Sequence, residues 1–121
     1  MSQAALIPAD TAQTLDLTTS VDVSPSSIVS RTLLQTPEVR VVLFAFDAGQ
    51  ELTSHTSRRR ALAQILTGRC EFFFSGAWHT LTAGAFLHLP PNHPHAVRAG
   101  ESPFTMLLTL GSEQVNEGPA S

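Results

Sequence analysis

His55 and His95 are the strongest candidates for a functional site in this sequence. Gly49 precedes His55 by six positions, and Gly84 precedes His95 by eleven. The residues between each glycine and its histidine have the composition of a strand or a turn. An imidazole can accept or donate a hydrogen bond, transfer a proton near neutral pH, or bind a metal ion. Two such rings held by separate strands would form the polar part of a ligand site if they met inside a closed sheet.

Other chemical patterns are weak or absent in the sequence. There is no glycine-rich phosphate loop, Ser-His-Asp spacing or Cys-x-x-Cys pair, so nucleotide binding and nucleophilic catalysis have no support. Cys70 has no base near it in sequence and is expected to be a small buried hydrophobe. Arg58 to Arg60 follow His55 directly. We favour an exposed, solvated turn there, and the open alternative is a cluster that holds a carboxylate or phosphate, with Arg59 as a contact.

Eight short segments of strand-like composition must position the histidines. They are residues 28–34, 39–46, 61–66, 69–74, 77–82, 85–89, 95–98 and 104–110. Turn signals separate them, including Gly68 and the Ser75-Gly76 pair. Segment 61–66 contains helix-favouring residues, but six residues before Gly68 are too few for a stable helix. Many short strands without a convincing helix predict an all-β jelly roll or barrel.

The length of 121 residues is that of a single domain. We expect residues 28–110 to form the barrel. Residues 1–27 are polar and interrupted by prolines, so we expect an N-terminal arm or edge strands there. Residues 111–121 are polar and contain glycine and proline, so we expect a flexible C-terminal tail.

Composition argues against several kinds of partner. The net charge of -3 gives no support for binding a nucleic acid, whose phosphates favour a basic surface. No run approaches the roughly 18 apolar residues of a membrane helix, and the N-terminus lacks the features of a signal peptide. Only 14% of the residues are charged, and a surface with so little charge tends to associate. Pairing with a second copy would cover part of that surface. We expect a cytoplasmic homodimer that binds neither nucleic acid nor membrane.

The two histidine segments resemble the two motifs of the cupin family. The family motifs read G-x5-H-x-H-x3-4-E-x6-G and G-x5-P-x-G-x2-H-x3-N. The matching residues, all in register, are Gly49, His55 and Gly68 in the first motif and Gly84, Pro90 and His95 in the second. Fifteen residues lie between Gly68 and Gly84, as in the shortest cupins. The resemblance covers residues 39–110 and implies a small cupin barrel, a jelly roll also called a double-stranded β-helix.

The departures from the motifs concern the metal site that the resemblance implies. The family's second histidine, its glutamate, its second-motif glycine and its final asparagine fall here on Ser57, Ala61, Asn92 and Ala99. Three histidines and the glutamate usually form the metal cage in cupins, so only His55 and His95 remain. Because a first-row divalent ion generally takes three or four protein donors, we expect reduced or no metal affinity. Two outcomes stay open: a weakly held divalent transition metal (Zn, Fe, Mn or Ni) at these two histidines, or none.

The resemblance implies two classes of function, and the residues leave both open. The first is a protein that binds a small molecule in the barrel interior, with no specific reaction assignable. Its expected ligand contacts are His55, His95, Ser57 and Arg59. The alternative is a metal-dependent oxygenase, isomerase or lyase acting on a small substrate, anionic substrates included. His93 and Gln64 are weaker candidates for the site, because a proline follows His93 and because Gln64 is offset by three residues from Ala61.

Overall fold

The computed structural model of the protein describes residues 4–113. This part of the chain contains one 3₁₀ helix, Leu17–Thr19, and nine β-strands. The strands are β1 (Ile28–Gln35), β2 (Val39–Phe46), β3 (Glu51–His55), β4 (Arg59–Thr67), β5 (Arg69–Phe74), β6 (Ala77–Thr82), β7 (Phe86–Leu89), β8 (His95–Ala99) and β9 (Phe104–Glu113). Within residues 4–113, no helix combines the length and apolar character needed to cross a membrane.

The strands form two antiparallel sheets with the main core between them. One sheet has the order β1-β2-β9-β4-β7, and the other has the order β3-β8-β5-β6. Neighbouring strands are often far apart in sequence, because the chain passes back and forth between the sheets. This arrangement is a jelly roll, and the predicted all-β fold class is confirmed.

The observed strands differ from the predicted segments by more than one residue in three places. β3 was not predicted, because Glu51–His55 contains a single apolar residue, Leu52, and is otherwise exposed. β4 begins at Arg59, two residues before the predicted segment. β9 continues to Glu113, so residues 111–113 of the expected tail belong to a strand. The rest of that tail, residues 114–121, and residues 1–3 of the expected arm lie outside the described residues.

Aromatic and aliphatic side chains from both sheets form the main core. Phe46 and Phe104 are fully buried, and their rings stack with centroids 4.6 Å apart. Cys70 on β5 is 1% exposed and belongs to the same cluster, as expected for a small hydrophobe. Burial raises the pKa of its thiol to about 12, so Cys70 is not a nucleophile at neutral pH.

The N-terminal segment packs on the outer face of the larger sheet as an arm. The amides of Leu6 and Ile7 donate to the carbonyls of Thr32 and Leu33 on β1, at 3.0 and 2.7 Å. A second apolar cluster lies between the arm and the sheet. Its buried members are Val21, Leu33, Leu43 and Ala45. Since side chains alternate along β2, Leu43 faces the arm whereas Phe46 faces the main core. The arm thus covers one sheet face and leaves the space between the sheets for the site.

Candidate functional site

Strands β3 and β8 bring the two candidate histidines together. His55 ends β3, His95 begins β8, and the two residues are direct partners in the antiparallel ladder. A register shift between Leu52 and His55 sets this pairing. The ring centroids are 4.3 Å apart and the rings meet edge to face at 61°. The two imidazoles converge as expected from the sequence.

A backbone hydrogen bond fixes the tautomer of each ring. The Nδ1 atom of His55 lies 3.0 Å from the carbonyl oxygen of Thr53, and Nδ1 of His95 lies 2.9 Å from that of His93. A carbonyl oxygen can only accept, so each Nδ1 carries the hydrogen and donates. In a neutral ring, Nε2 then has a free lone pair. Neither Nε2 atom has a hydrogen-bond partner among residues 4–113.

The histidines line a cavity of about 260 Å³ between the sheets. This volume is slightly below the roughly 300–1,000 Å³ of common ligand pockets. The lining residues are Phe44, Leu52, His55, Ser57, Ala61, Ala63, Phe72, Leu89, His95, Val97, Met106, Leu108 and Leu110. None of them carries a permanent charge. His55 is exposed and His95 is half-buried, so the histidines lie where the cavity opens to solvent.

Burial also sets the protonation of His95. Loss of solvent lowers the pKa of this imidazole, and the nearby rings of His55 and His93 lower it further. The hydrogen bond to the carbonyl of His93 opposes these effects by raising the pKa, but burial is the larger influence. His95 is therefore neutral at pH 7, and its Nε2 acts as a hydrogen-bond acceptor.

The donor set of this cavity does not fit a resident metal ion. Ala61 occupies the place of the family's glutamate and presents only a methyl group to the cavity. Ser57 lines the cavity too, but its hydroxyl is a neutral ligand and accepts a hydrogen bond from the amide of Arg59 at 3.1 Å. No cluster of three or more His, Cys, Asp or Glu side chains with metal-site geometry occurs within residues 4–113. Two imidazoles fall short of the three or four donors that divalent first-row ions usually take.

Three other residues considered from the sequence do not line the cavity. Nη1 of Arg59 donates to the carbonyl of Gly111 at 3.1 Å, so this guanidinium is held by β9. Nε2 of His93 lies 3.0 Å from the hydroxyl of Ser75, and Gln64 is exposed. The role of Arg59 as a ligand contact therefore stays a prediction.

A larger depression of about 360 Å³ lies elsewhere, at the start of β5 and the loop after β8. Its lining residues are Arg69, Cys70, Glu71, Gly100, Glu101 and Ser102. Arg69 and Glu101 are exposed, and Glu71 is paired with Arg98 at 2.9 Å, so no set of unpaired groups converges there. We place the candidate site in the smaller cavity, because its walls are apolar and its few polar groups converge.

The apolar walls were the part of the site that the sequence did not reveal. Phe44, Leu52 and Met106 look like ordinary core residues, since alternation along a strand identifies an inward face without saying whether the space behind it is filled. The alternation of apolar side chains along β2 and β9 was the only feature of the sequence that could have indicated these lining residues.

Comparison with known proteins identifies the fold. A family model described as Cupin_2, cupin domain, matches residues 42–110. A conserved protein of unknown function from Streptococcus pyogenes superposes with a TM-score of 0.78 at 29% identity, over 95% of this chain and 100% of that one. A cupin superfamily protein from Desulfitobacterium hafniense DCB-2 has a TM-score of 0.78 at 24% identity, with 91% and 100% of the chains covered. No functionally curated protein is similar enough to match.

A third structure supports the same conclusion from a longer protein. The cupin 2 conserved barrel domain protein from Leptotrichia buccalis has a TM-score of 0.77 at 31% identity, over 81% of this chain and 47% of that one. The family model covers more than half of the chain. Both histidine motifs lie within the two-sheet fold, with the spacing expected from the sequence. The chain belongs to the cupin family and has its RmlC-like double-stranded β-helix fold.

Proposed function

We propose that the protein binds a small, mainly apolar molecule in the cavity between its two sheets, without a metal ion. The observation that carries the proposal is the lining of the cavity. Ten of its thirteen side chains are apolar, and the remaining three are His55, His95 and Ser57. Pockets of this kind bind a ligand through burial of its apolar surface and orient it through a few polar groups.

The size of the cavity limits the ligand. An apolar cavity of about 150 Å³ is enough for benzene. The 260 Å³ available here therefore suit one ring with one or two substituents, or an aliphatic molecule of similar bulk. Water in a mostly apolar cavity finds few partners, so its displacement by an apolar group favours binding.

A cavity-filling variant tests the proposal. Ala63 lines the cavity and is 1% exposed, so Ala63→Leu would add three carbon atoms to the space that a ligand needs. Even one surplus methylene in a closed apolar pocket weakens binding about 10- to 200-fold. The same substitution at exposed Ala77 on β6 is the matched control. We would titrate both variants and the wild type with toluene by calorimetry, and measure their thermal unfolding.

Wild-type protein and Ala77→Leu should bind toluene, and folded Ala63→Leu should bind at least about tenfold more weakly. Undetectable toluene binding by the wild type up to the solubility limit would refute the proposal. So would an Ala63→Leu variant that is folded and binds as tightly as the wild type.

The alternative function is a metal-dependent oxygenase, isomerase or lyase acting on a small substrate, with Zn, Fe, Mn or Ni at His55 and His95. One observation favours it: histidines that ligate metals commonly donate their other ring nitrogen to a carbonyl, as both rings do here. Elemental analysis of protein purified without an affinity tag separates the two functions. Metal near one equivalent, lost in His55→Ala and His95→Ala, would favour the enzyme, whereas background metal would favour the binding protein.

We also propose that the protein is a homodimer. The supporting observation is the exposure of two large hydrophobic side chains, Phe86 at 61% and Trp78 at 38%, whose apolar surface a second copy would cover. Light scattering coupled to size exclusion measures the mass directly, and a monomer at micromolar concentration would contradict this proposal. The cytoplasmic location and the lack of a nucleic-acid partner stay predictions.

A further inference from the structure

We infer that the ligand carries an O–H or N–H group that donates a hydrogen bond to Nε2 of His55 or His95, so that the cavity prefers a small phenol or alcohol over a carboxylate. This inference rests on the proposed binding function and narrows it to a class of ligand. It concerns the polar end of the cavity, whereas the proposed function depends on the apolar walls.

The first step is the fixed orientation of the two lone pairs. Each Nδ1–H is bound to a carbonyl on the same segment of chain, at Thr53 for His55 and at His93 for His95. Moving the proton from Nδ1 to Nε2 would place a bare nitrogen against a carbonyl oxygen and lose that hydrogen bond. In its neutral form, each ring therefore offers Nε2 as an acceptor and no donor at this end of the ring.

The second step is that the two acceptors lie within reach of one small molecule. The ring centroids are 4.3 Å apart, and both residues line the same cavity. A ligand with one hydroxyl group can donate to either Nε2, and a ligand with two adjacent hydroxyl groups can donate to both. A fully apolar ligand leaves both lone pairs without a partner.

The third step is that an anion lacks a positive partner inside the cavity. Among residues 4–113, no arginine lines it. Two of the three arginines that follow Ser57 are held elsewhere. Arg59 donates to the carbonyl of Gly111, and Arg60 is bound to Nε2 of His88 at 2.7 Å. A carboxylate would lose its water there without gaining an arginine as its counter-charge.

Three ligands of the same ring size test the inference. We would titrate the protein with toluene, phenol and benzoate by calorimetry at pH 7.5. Wild-type protein should bind phenol at least as tightly as toluene, although water solvates phenol better, and should bind benzoate at least about tenfold more weakly than phenol. The affinity for toluene measures the contribution of the apolar walls, and the affinity for phenol adds the effect of the hydrogen-bond acceptors. The affinity for benzoate shows whether a positive group in the cavity binds an anion.

The variants His55→Leu and His95→Leu remove the acceptors. Phenol affinity should fall about 5- to 100-fold in the variant that removes the acceptor in use, and in both if the hydroxyl exchanges between them, as expected for a buried donor left unpaired. Toluene affinity should change by less than about twofold, and its binding shows that the variant is folded. His88→Leu, on the exposed side of β7, is the matched control and should change neither affinity.

Each outcome has one meaning. Phenol binding that survives in the double variant His55→Leu/His95→Leu, or that falls in parallel with toluene binding, overturns the inference and leaves the proposed function intact. Wild-type protein that binds neither toluene nor phenol overturns both. An independent readout needs no variant: ¹⁵N spectra of the histidine rings should show that the neutral form of each residue has a protonated Nδ1 and an unprotonated Nε2. A protonated Nε2 on both rings at pH 7.5 would overturn the inference.

Discussion

Gly68→Ala should lower the free energy of unfolding by about 2–5 kcal/mol, although it adds one methyl group at an exposed turn. Gly68 joins β4 to β5 with φ at +77°, and this left-handed region costs other residues about 1–2 kcal/mol. A Cβ atom there would lie 2.4 Å from the carbonyl oxygen of Pro103 and 3.0 Å from Cα of Phe104. Because buried Phe104 stacks on Phe46, the start of β9 cannot move freely, and forcing it costs about 1–3 kcal/mol more.

Gly49→Ala is a matched control for this prediction. Gly49 has the same φ of +77°, but a Cβ atom there would have nothing within 4 Å, so only the backbone contribution of about 1–2 kcal/mol remains. Urea denaturation of both variants isolates the contact with β9. With an m value of about 2 kcal/mol/M, the midpoint of Gly68→Ala should lie roughly 0.5–1.5 M below that of Gly49→Ala. Equal midpoints would refute the reasoning that close approach to Pro103 requires glycine.

The remaining predictions concern protonation, packing and the arm. Burial lowers the pKa of His95, so on acidification this imidazole is protonated in the unfolded chain before it is protonated in the folded protein. His95 therefore leaves the free energy of unfolding unchanged above about pH 6.5, and this free energy falls as the pH drops from that value to the lowered pKa of the folded state. His95→Gln should reduce the loss of stability between pH 7 and 5 in urea denaturation, and an unchanged pH dependence would contradict this. Phe104→Ala should cost about 3–5 kcal/mol by leaving a void beside its stacked partner, and a loss below about 1 kcal/mol would show that the core closes around it. The carboxylate of Asp47 accepts hydrogen bonds from the amides of Ser26 at 2.7 Å and Ala48 at 2.8 Å. Asp47→Ala should lower the free energy of unfolding by about 1–3 kcal/mol, and Asp47→Asn should lower it less because the amide keeps one acceptor oxygen. Equal losses in the two variants would argue that these hydrogen bonds do not stabilise the fold.

The convergence of the histidines could be predicted because it depends on strand pairing at fixed spacings. His55 and His95 occupy fixed places in two motifs that each begin at a glycine, and the jelly-roll topology pairs β3 with β8. The other strands were recognised from short apolar runs between turn signals. β3 escaped because it is an edge strand with one inward apolar residue, Leu52, and backbone pairing rather than burial holds it in the sheet.

The contacts made by the arginines could not be predicted. A register shift between Arg59 and Ala61 interrupts the regular alternation at the start of β4. Alternation is the rule that would have assigned each side chain to a face, so three consecutive arginines gave no indication of direction. The observed partners of Arg59 and Arg60, the carbonyl of Gly111 and the ring of His88, come from β9 and β7, distant segments of the chain.

The cavity was beyond sequence reasoning for a similar reason. Its volume depends on how side chains from distant strands meet, such as Phe44 on β2 and Met106 on β9. Alternation along β2 and β9 places these residues on the inward face, but a void and a filled core give the same alternation. The tautomers of the histidines likewise depend on carbonyl positions that only the folded backbone defines.

Methyl NMR of Met106 measures directly whether a ligand occupies the space between the sheets. Met106 lines the cavity, is 2% exposed, and is one of only two methionines in the chain, so ¹³C-methyl labelling gives two signals that Met106→Leu assigns. During titration with phenol, the Met106 methyl signal should shift saturably, with the dissociation constant found by calorimetry, and the shift should be lost in Ala63→Leu. A Met106 signal that stays in place while phenol saturates the protein would contradict binding inside the barrel.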